Sequence, residues 1–336
     1  MKEFNELGEP VEAPKKKKWG FFSGYAKDGK GVKEEDVITN YNFVNFFKLY
    51  ARRFSKLVWV NALYIVGNFP LIFLMIALSN YFSDMGTSPS SELYAVLNGI
   101  GTASGGVGAL PAALLGIHGA LGTIFSPTPV TYVLYGISAL FIFTFGPVNA
   151  GCAYLIKNLI KGEPVFLWQD FITTVKTNWK QALPMGILDL GMLGLSAFSL
   201  LSYYVNYENY FVLFWTMLLI IMLYMFIRFY LYTIMVTFEL GFFQIIKNSV
   251  IFCLLGFWRN LAMFASICFL IFMVFWLGSL FMPIFVISLF ILVFATSSFM
   301  GTYAAYPKIK QYMIDPYPEE KVEEEAPIFT DDVTPQ

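Results

Sequence analysis

Apolar residues in this chain come in long unbroken runs, not in the alternation of a half-buried strand. A membrane-spanning helix needs ~20 mostly apolar residues, because the hydrocarbon core is ~30 Å thick and each residue rises ~1.5 Å. Runs at 57–78, 130–153, 181–203 and 210–236 reach that length. Asn260 to Pro307 contains no Asp, Glu, Lys or Arg. As one helix it would extend ~72 Å, more than twice the bilayer core, so it must fold back on itself. Pro283 lies at its middle and predicts the turn, giving runs at 260–282 and 284–305. The pattern predicts an all-α, polytopic helical membrane protein with six transmembrane helices.

Amphipathic segments precede the first, third and fifth runs. Phe43, Phe46, Phe47, Tyr50 and Phe54 share one helical face, with Lys48, Arg52 and Lys56 on another. Trp168, Phe171, Ile172, Val175 and Trp179 form a second stripe, and Phe242, Ile245, Ile246, Val250, Cys253 and Phe257 a third. The chain thus reads as three units of surface helix, span up, span down. Amphipathic helices of this kind lie in the interface plane, here on the cytoplasmic side; they serve as packed linkers or as a docking surface. The stretch 94–125 is apolar but rich in glycine, and Gly105, Gly106 and Pro111 would break a single helix. Two short helical pieces outside or shallow in the membrane are expected there, within an extracellular insert at 79–129.

Basic residues set the orientation. Twelve Lys and Arg precede the first run, four fall in 154–180, two in 237–259 and three in the C-terminal tail. None falls in 79–129 or 204–209. By the positive-inside rule both termini are cytoplasmic. Trp59, Trp179 and Trp258 mark the inner interface; Tyr203, Tyr204, Tyr207, Tyr210 and Trp215 mark the outer one. Residues 1–38 read as a basic cytoplasmic tail, in which Lys15–Lys18 could touch anionic lipid, and 315–336 as an acidic one. The membrane domain is 39–314. No cleavable signal peptide is expected, because the chain opens with a long polar stretch.

Composition narrows the class further. The chain has 336 residues, 57% hydrophobic, 19% aromatic and only 13% charged, against ~25% charged in soluble domains. That excludes a soluble enzyme and a disordered chain. A net charge of −1 offers no field to nucleic acid, so the expected surroundings are the lipid bilayer. Three cysteines and one histidine (His118) leave little for disulfide, metal or triad chemistry. No cofactor, metal or catalytic residue is predicted, and the expectation is a non-enzymatic protein.

Asn45-Phe46-Phe47-Lys48-Leu49 leads into the first run, and Gly146-Pro147-Val148-Asn149-Ala150-Gly151 closes the second. Gly162-Glu163-Pro164-Val165-Phe166-Leu167-Trp168-Gln169-Asp170-Phe171 follows, then Asn178-Trp179-Lys180-Gln181. These motifs, within 42–186, resemble the YesL family of bacterial integral membrane proteins, whose function is not established. The Gly-rich insert departs from the short first loop usual in that family. The resemblance implies the plasma membrane of a Gram-positive-type bacterium and a link to sugar ABC-transporter subunits as partners. It supplies no catalytic residue.

Two ionisable residues lie deep in the spans, Asp189 and Arg228. Such groups cost several kcal/mol in hydrocarbon without a partner. Asp189 is eight residues past Gln181 and Arg228 eight before Val236, which puts both ~12 Å from the cytoplasmic boundary on antiparallel neighbours. An ion pair is expected, either as a register lock or as a coupling site. Asn61 and Asn68 are intramembrane polar residues able to bond what the pair leaves over. Gly146, Pro147, Asn149 and Gly151 form a predicted helix-break motif, as a packing kink or as an unwound substrate site. The function that the resemblance implies is that of an accessory or regulatory component associated with carbohydrate uptake. The alternative is a small self-contained transporter or channel using the Asp189/Arg228 region.

Overall fold

The computed structural model describes residues 40–103, 113–114, 119 and 121–316. The tails at 1–38 and beyond 316, Lys15–Lys18, His118 and the expected break at Gly105–Gly106 lie outside these residues. The described chain is almost entirely helical. By length and composition five of its helices suffice to cross a membrane, or six if one bent pair counts as a single span.

Helix α1 (Phe43–Gly67) runs from the first amphipathic stripe into the first apolar run without a break. It ends at Asn68, and α2 (Pro70–Leu78) departs at 67°. The bend has a local cause. Pro70 has no N–H to continue the ladder, and the Asn68 side chain caps the Tyr64 carbonyl at 3.0 Å. Strand β1 (Ser83–Pro89) follows, then α3 (Leu93–Ala103) and strand β2 (Leu121–Pro127). The two strands pair antiparallel, Ser83 opposite Pro127 and Pro89 opposite Leu121. Of the two predicted helical pieces one is described in full and the other only at the helical residues 113–114, and the ribbon is an addition to the predicted elements. Ser, Asp, Gly and Pro are poor strand formers, so the residues give no sign of it; what the pairing does is close the base of the insert.

Helices α4 (Pro129–Ser138) and α5 (Phe141–Lys161) form the next membrane-length element. Thr128 opens α4 by accepting the Thr131 N–H, while its hydroxyl donates to the Phe82 carbonyl at 2.5 Å. At the predicted helix-break motif the structure shows no unwound turn. The step falls at Ala139–Leu140, and α5 passes through Gly146, Pro147, Asn149 and Gly151 as continuous helix. All four are buried. Pro147 leaves the Phe143 carbonyl without its usual donor, a loss the surrounding packing tolerates. Helix α5 ends at Gly162, whose left-handed φ of 86° no β-carbon-bearing residue adopts readily. Asp170 then accepts the Phe166 N–H at 2.8 Å and starts the next helix.

That helix, α6 (Leu167–Val205), joins the second stripe and the third run in one 39-residue rod. Next come α7 (Tyr207–Met235), α8 (Phe242–Leu255), α9 (Phe257–Leu280), α10 (Met282–Ser288) and α11 (Phe294–Ile309). Of the three predicted surface helices only α8 is a separate element. Gly256 separates it from α9, and a β-carbon there would collide with the Tyr230 hydroxyl. The Phe281–Met282 junction makes the turn beside Pro283. Between α10 and α11, Leu289–Val293 is wound as a π-helix, as is Lys310–Ile314 at the end.

Helix α5 is the centre of the bundle, in contact with α1, α6, α7 and α11. From Gly146 to Ile160 only Tyr154 is not buried. The closest approach is to α6. A β-carbon on Gly146 would strike the Ala182 carbonyl and the Gly186 backbone, and one on Gly151 the Phe171 ring. Small residues let these backbones meet where lipid offers no hydrophobic drive. Ala150, Ala153, Ala182, Met185, Tyr230, Ile234, Ile245, Phe252, Ala305 and Ile309 complete a core at the end that carries the basic loops. At the opposite end large apolar side chains such as Phe198, Leu201, Val212, Phe275 and Leu280 face outward.

The basic end is tied by polar contacts. Arg259 donates to the carbonyls of Tyr41 and Tyr303, at 3.1 and 3.2 Å. Burial pushes the Tyr41 phenol above its ordinary pKa. Asn260 accepts from the Tyr230 hydroxyl at 3.0 Å and donates to the Cys253 carbonyl at 3.1 Å, bracing the α8–α9 joint.

Candidate functional site

Asp189 sits on α6 and Arg228 on α7, and the structure brings them together. Arg228 Nε donates to both carboxylate oxygens, at 3.0 and 2.9 Å. The carboxylate is wholly enclosed, while the arginine side chain is 28% exposed. Two further donors complete the carboxylate. Tyr224 gives its hydroxyl to Oδ1 at 2.6 Å and Tyr232 to Oδ2 at 2.8 Å. A buried carboxylate is costly unless its lone pairs are filled, and here three residues fill them.

The sequence reading assigned the leftover bonding to Asn61 or Asn68, and neither touches the pair. The tyrosines do the work. Their signal was in the spacing: Tyr224, Arg228 and Tyr232 stand at i−4, i and i+4 on one face of α7. The Arg228 guanidinium also lies 5.7 Å from the centroid of Phe145 on α5, within cation–π range.

Asn61 has a different task. It is fully buried and faces the π-helical segment. Its amide donates to the carbonyls of Leu289 and Phe290, at 2.8 and 2.6 Å, and its oxygen accepts the Ala295 N–H at 2.8 Å. Winding as a π-helix shifts the usual ladder by one residue, and Asn61 serves groups left at its edges. Asn68 accepts from Thr144 at 3.3 Å besides capping its own helix. Asn149 donates to the Phe145 carbonyl at 2.7 Å.

Arg228, Tyr232, Phe145, Asn68 and Asn149 line a partly open cavity of about 520 Å³. Arg228 lines it, and Asn68, Asn149, Thr233, Ser297 and Thr302 add polar atoms. Most of the remaining wall is apolar, from Leu71, Phe145, Met225, Phe229, Val293 and their neighbours. The Ser297 hydroxyl is buried without a hydrogen-bond partner. Among the described residues nothing accepts from Arg228 Nη1 or Nη2, so the open edge of the guanidinium faces the cavity. Sequence reasoning had no route to the cavity, although Thr296-Ser297-Ser298 is a polar cluster within an apolar run. Among the described residues no three His, Cys, Asp or Glu side chains converge. Compared with protein-family models, with curated proteins and with solved structures, the chain matches none.

Proposed function

We propose that this chain is a non-enzymatic plasma-membrane protein of six spans, both termini cytoplasmic, that works as a small self-contained solute carrier or channel. The observation that carries this reading is Arg228, a cation held inside the bundle with its free edge toward a 520 Å³ cavity. Ligand pockets occupy ~300–1,000 Å³, and charged groups within membrane spans commonly mark solute paths. Paired with Asp189, the arginine is neutralised without being used up. The bent α1–α2 pair is read as the first span, and the basic loops as the cytoplasmic side.

Membership in the YesL family, and an accessory role beside sugar ABC-transporter subunits, rest on the resemblance of the motifs alone. The largely apolar wall suits a sugar poorly, since a carbohydrate needs hydrogen-bond partners all around it.

A solute path must be reachable. In a background with Cys152, Cys253 and Cys268 replaced, Ser297→Cys should react with N-ethylmaleimide in native membranes. An introduced thiol that stays unreactive in the folded protein would reject the carrier reading.

A further inference from the structure

The rim of the cavity tells how a ligand would enter. Ile72, Met75, Ile271 and Phe290 line it and are 39%, 59%, 40% and 52% exposed. All four are apolar; Ile271 and Phe290 stand in membrane-length helical stretches, and Ile72 and Met75 on the second arm of the bent α1–α2 pair. Side chains of this kind border hydrocarbon, not water. Access to the cavity is therefore sideways, from the lipid phase. A ligand arriving by that path must itself be soluble in lipid.

The interior then adds one strong polar anchor. The two terminal guanidinium nitrogens of Arg228 present parallel N–H groups, a geometry that matches a carboxylate or phosphate edge in bidentate fashion. The bonding of Asp189 sharpens this anchor. Its oxygens are engaged by Tyr224, Tyr232 and Nε, on the side away from the free edge. The Ser297 hydroxyl, buried and unpartnered, supplies a further donor in the same cavity. Apolar wall from Leu71, Ile72, Phe229, Ile267 and Val293 runs on from that point.

Resting on the carrier reading above, we infer that the cavity takes an amphiphilic anion: a carboxylate or phosphate head on Arg228, with an apolar chain lying along the wall toward the α2, α9 and π-helical rim. Because Asp189 offsets the arginine charge, the head is held by hydrogen bonds more than by net charge. That favours exchange over permanent capture. The apolar chain supplies the rest of the affinity, as buried methylenes do elsewhere.

The test uses the full chain in phosphatidylcholine nanodiscs, with radiolabelled laurate as the probe and empty nanodiscs as background. Wild-type protein should bind laurate saturably. Dodecanol, with the same chain and no charge, should compete ~10–100-fold less well, the weight of charge-assisted hydrogen bonds. Acetate and inorganic phosphate, heads without a chain, should not compete. Arg228→Gln should lose binding by a similar factor and Arg228→Lys should recover part of it. The ligand series in the wild type decides the matter even if Arg228→Gln fails to fold. Phosphatidic acid in the nanodisc separates the sources: competition with laurate assigns the head to a bilayer lipid, and none assigns it to a free acid. Equal competition by dodecanol, or competition by acetate or phosphate, would overturn the inference. So would an absence of saturable laurate binding. Ser297→Cys labelling separates the two failures. If the thiol reacts while laurate and dodecanol behave alike, the carrier reading stands and the anion falls. If the thiol never reacts, both fall.

Discussion

Removing the carboxylate of Asp189 should cost more than removing the whole ion pair. Asp189→Asn removes the negative charge beside Arg228 and places an amide N–H₂ where one of three donors now arrives. A guanidinium then remains in the bundle with no counter-charge. Breaking one side of a buried pair typically costs ~3–5 kcal/mol, and an unpaired charge at a helix centre ~3 kcal/mol on insertion scales. Asp189→Asn/Arg228→Gln puts two neutral amides level with one another, able to bond each other and both tyrosines. Its loss should be smaller than that of Asp189→Asn by ~2 kcal/mol or more. Tyr232→Phe removes a single donor and leaves the pair, so it should cost ~1–3 kcal/mol. Unfolding in detergent is commonly irreversible, so the readout is the order of apparent melting temperatures at one scan rate. The expected order is wild type, then Tyr232→Phe and the double variant, then Asp189→Asn lowest. A double variant that melts at the sum of the two single losses would refute the coupling argued here.

Other substitutions test other joints. Gly146→Ala should destabilise by ~1–3 kcal/mol, because its β-carbon meets backbone that cannot yield, whereas Gly194→Ala on α6 meets nothing within 4 Å and should be neutral or stabilising; thermal unfolding of both compares them directly. Gly256→Ala should lower the melting temperature, and Tyr230→Phe in the same chain should restore part of the loss by removing the hydroxyl in its way. Asn61→Leu should cost ~2–5 kcal/mol in thermal stability, since the Leu289 and Phe290 carbonyls and the Ala295 N–H lose their partner together. For topology, a cysteine at Ser90 should be labelled by an impermeant thiol reagent in whole cells and one at Thr330 should not; the reverse would invert the orientation.

The helical class and the membrane-length helices were legible because hydrocarbon tolerates little else: a run such as 210–236 has few alternatives to a helix. Depth was legible too, since counting residues at a constant rise sets Asp189 and Arg228 level. Bends were less so. Proline is a reliable breaker in water, and Pro147 suggested a break; in a packed bundle α5 stays helical through it, as α6 does through Pro184, and the 67° bend falls at Asn68 instead. The amphipathic stripes of α1 and α6 hid the fact that those helices do not stop at the interface, and of their aromatic residues only Phe46 and Phe171 are buried. The cavity was out of reach. It is made by α1, α2, α5, α6, α7, α9, the π-helical segment and α11 together, and no local pattern encodes a space between eight elements.

The π-helical segment at Leu289–Val293 has a consequence for how this sequence can change over time. A π-turn holds one residue more than the α-turn it replaces. Deleting one residue there would let the backbone close as ordinary α-helix without disturbing the bundle on either side. The side chains beyond the deletion would keep their bearing relative to those before it, because the lost residue is the one the π-turn takes up. Thr296, Ser297, Ser298 and Thr302 would hold their places, while the carbonyls of Leu289 and Phe290 would rejoin the α ladder and no longer need Asn61. A lineage could drop the extra residue through a single codon loss here, provided position 61 changed with it. Descendants that have lost the extra residue should carry an apolar side chain in place of that asparagine.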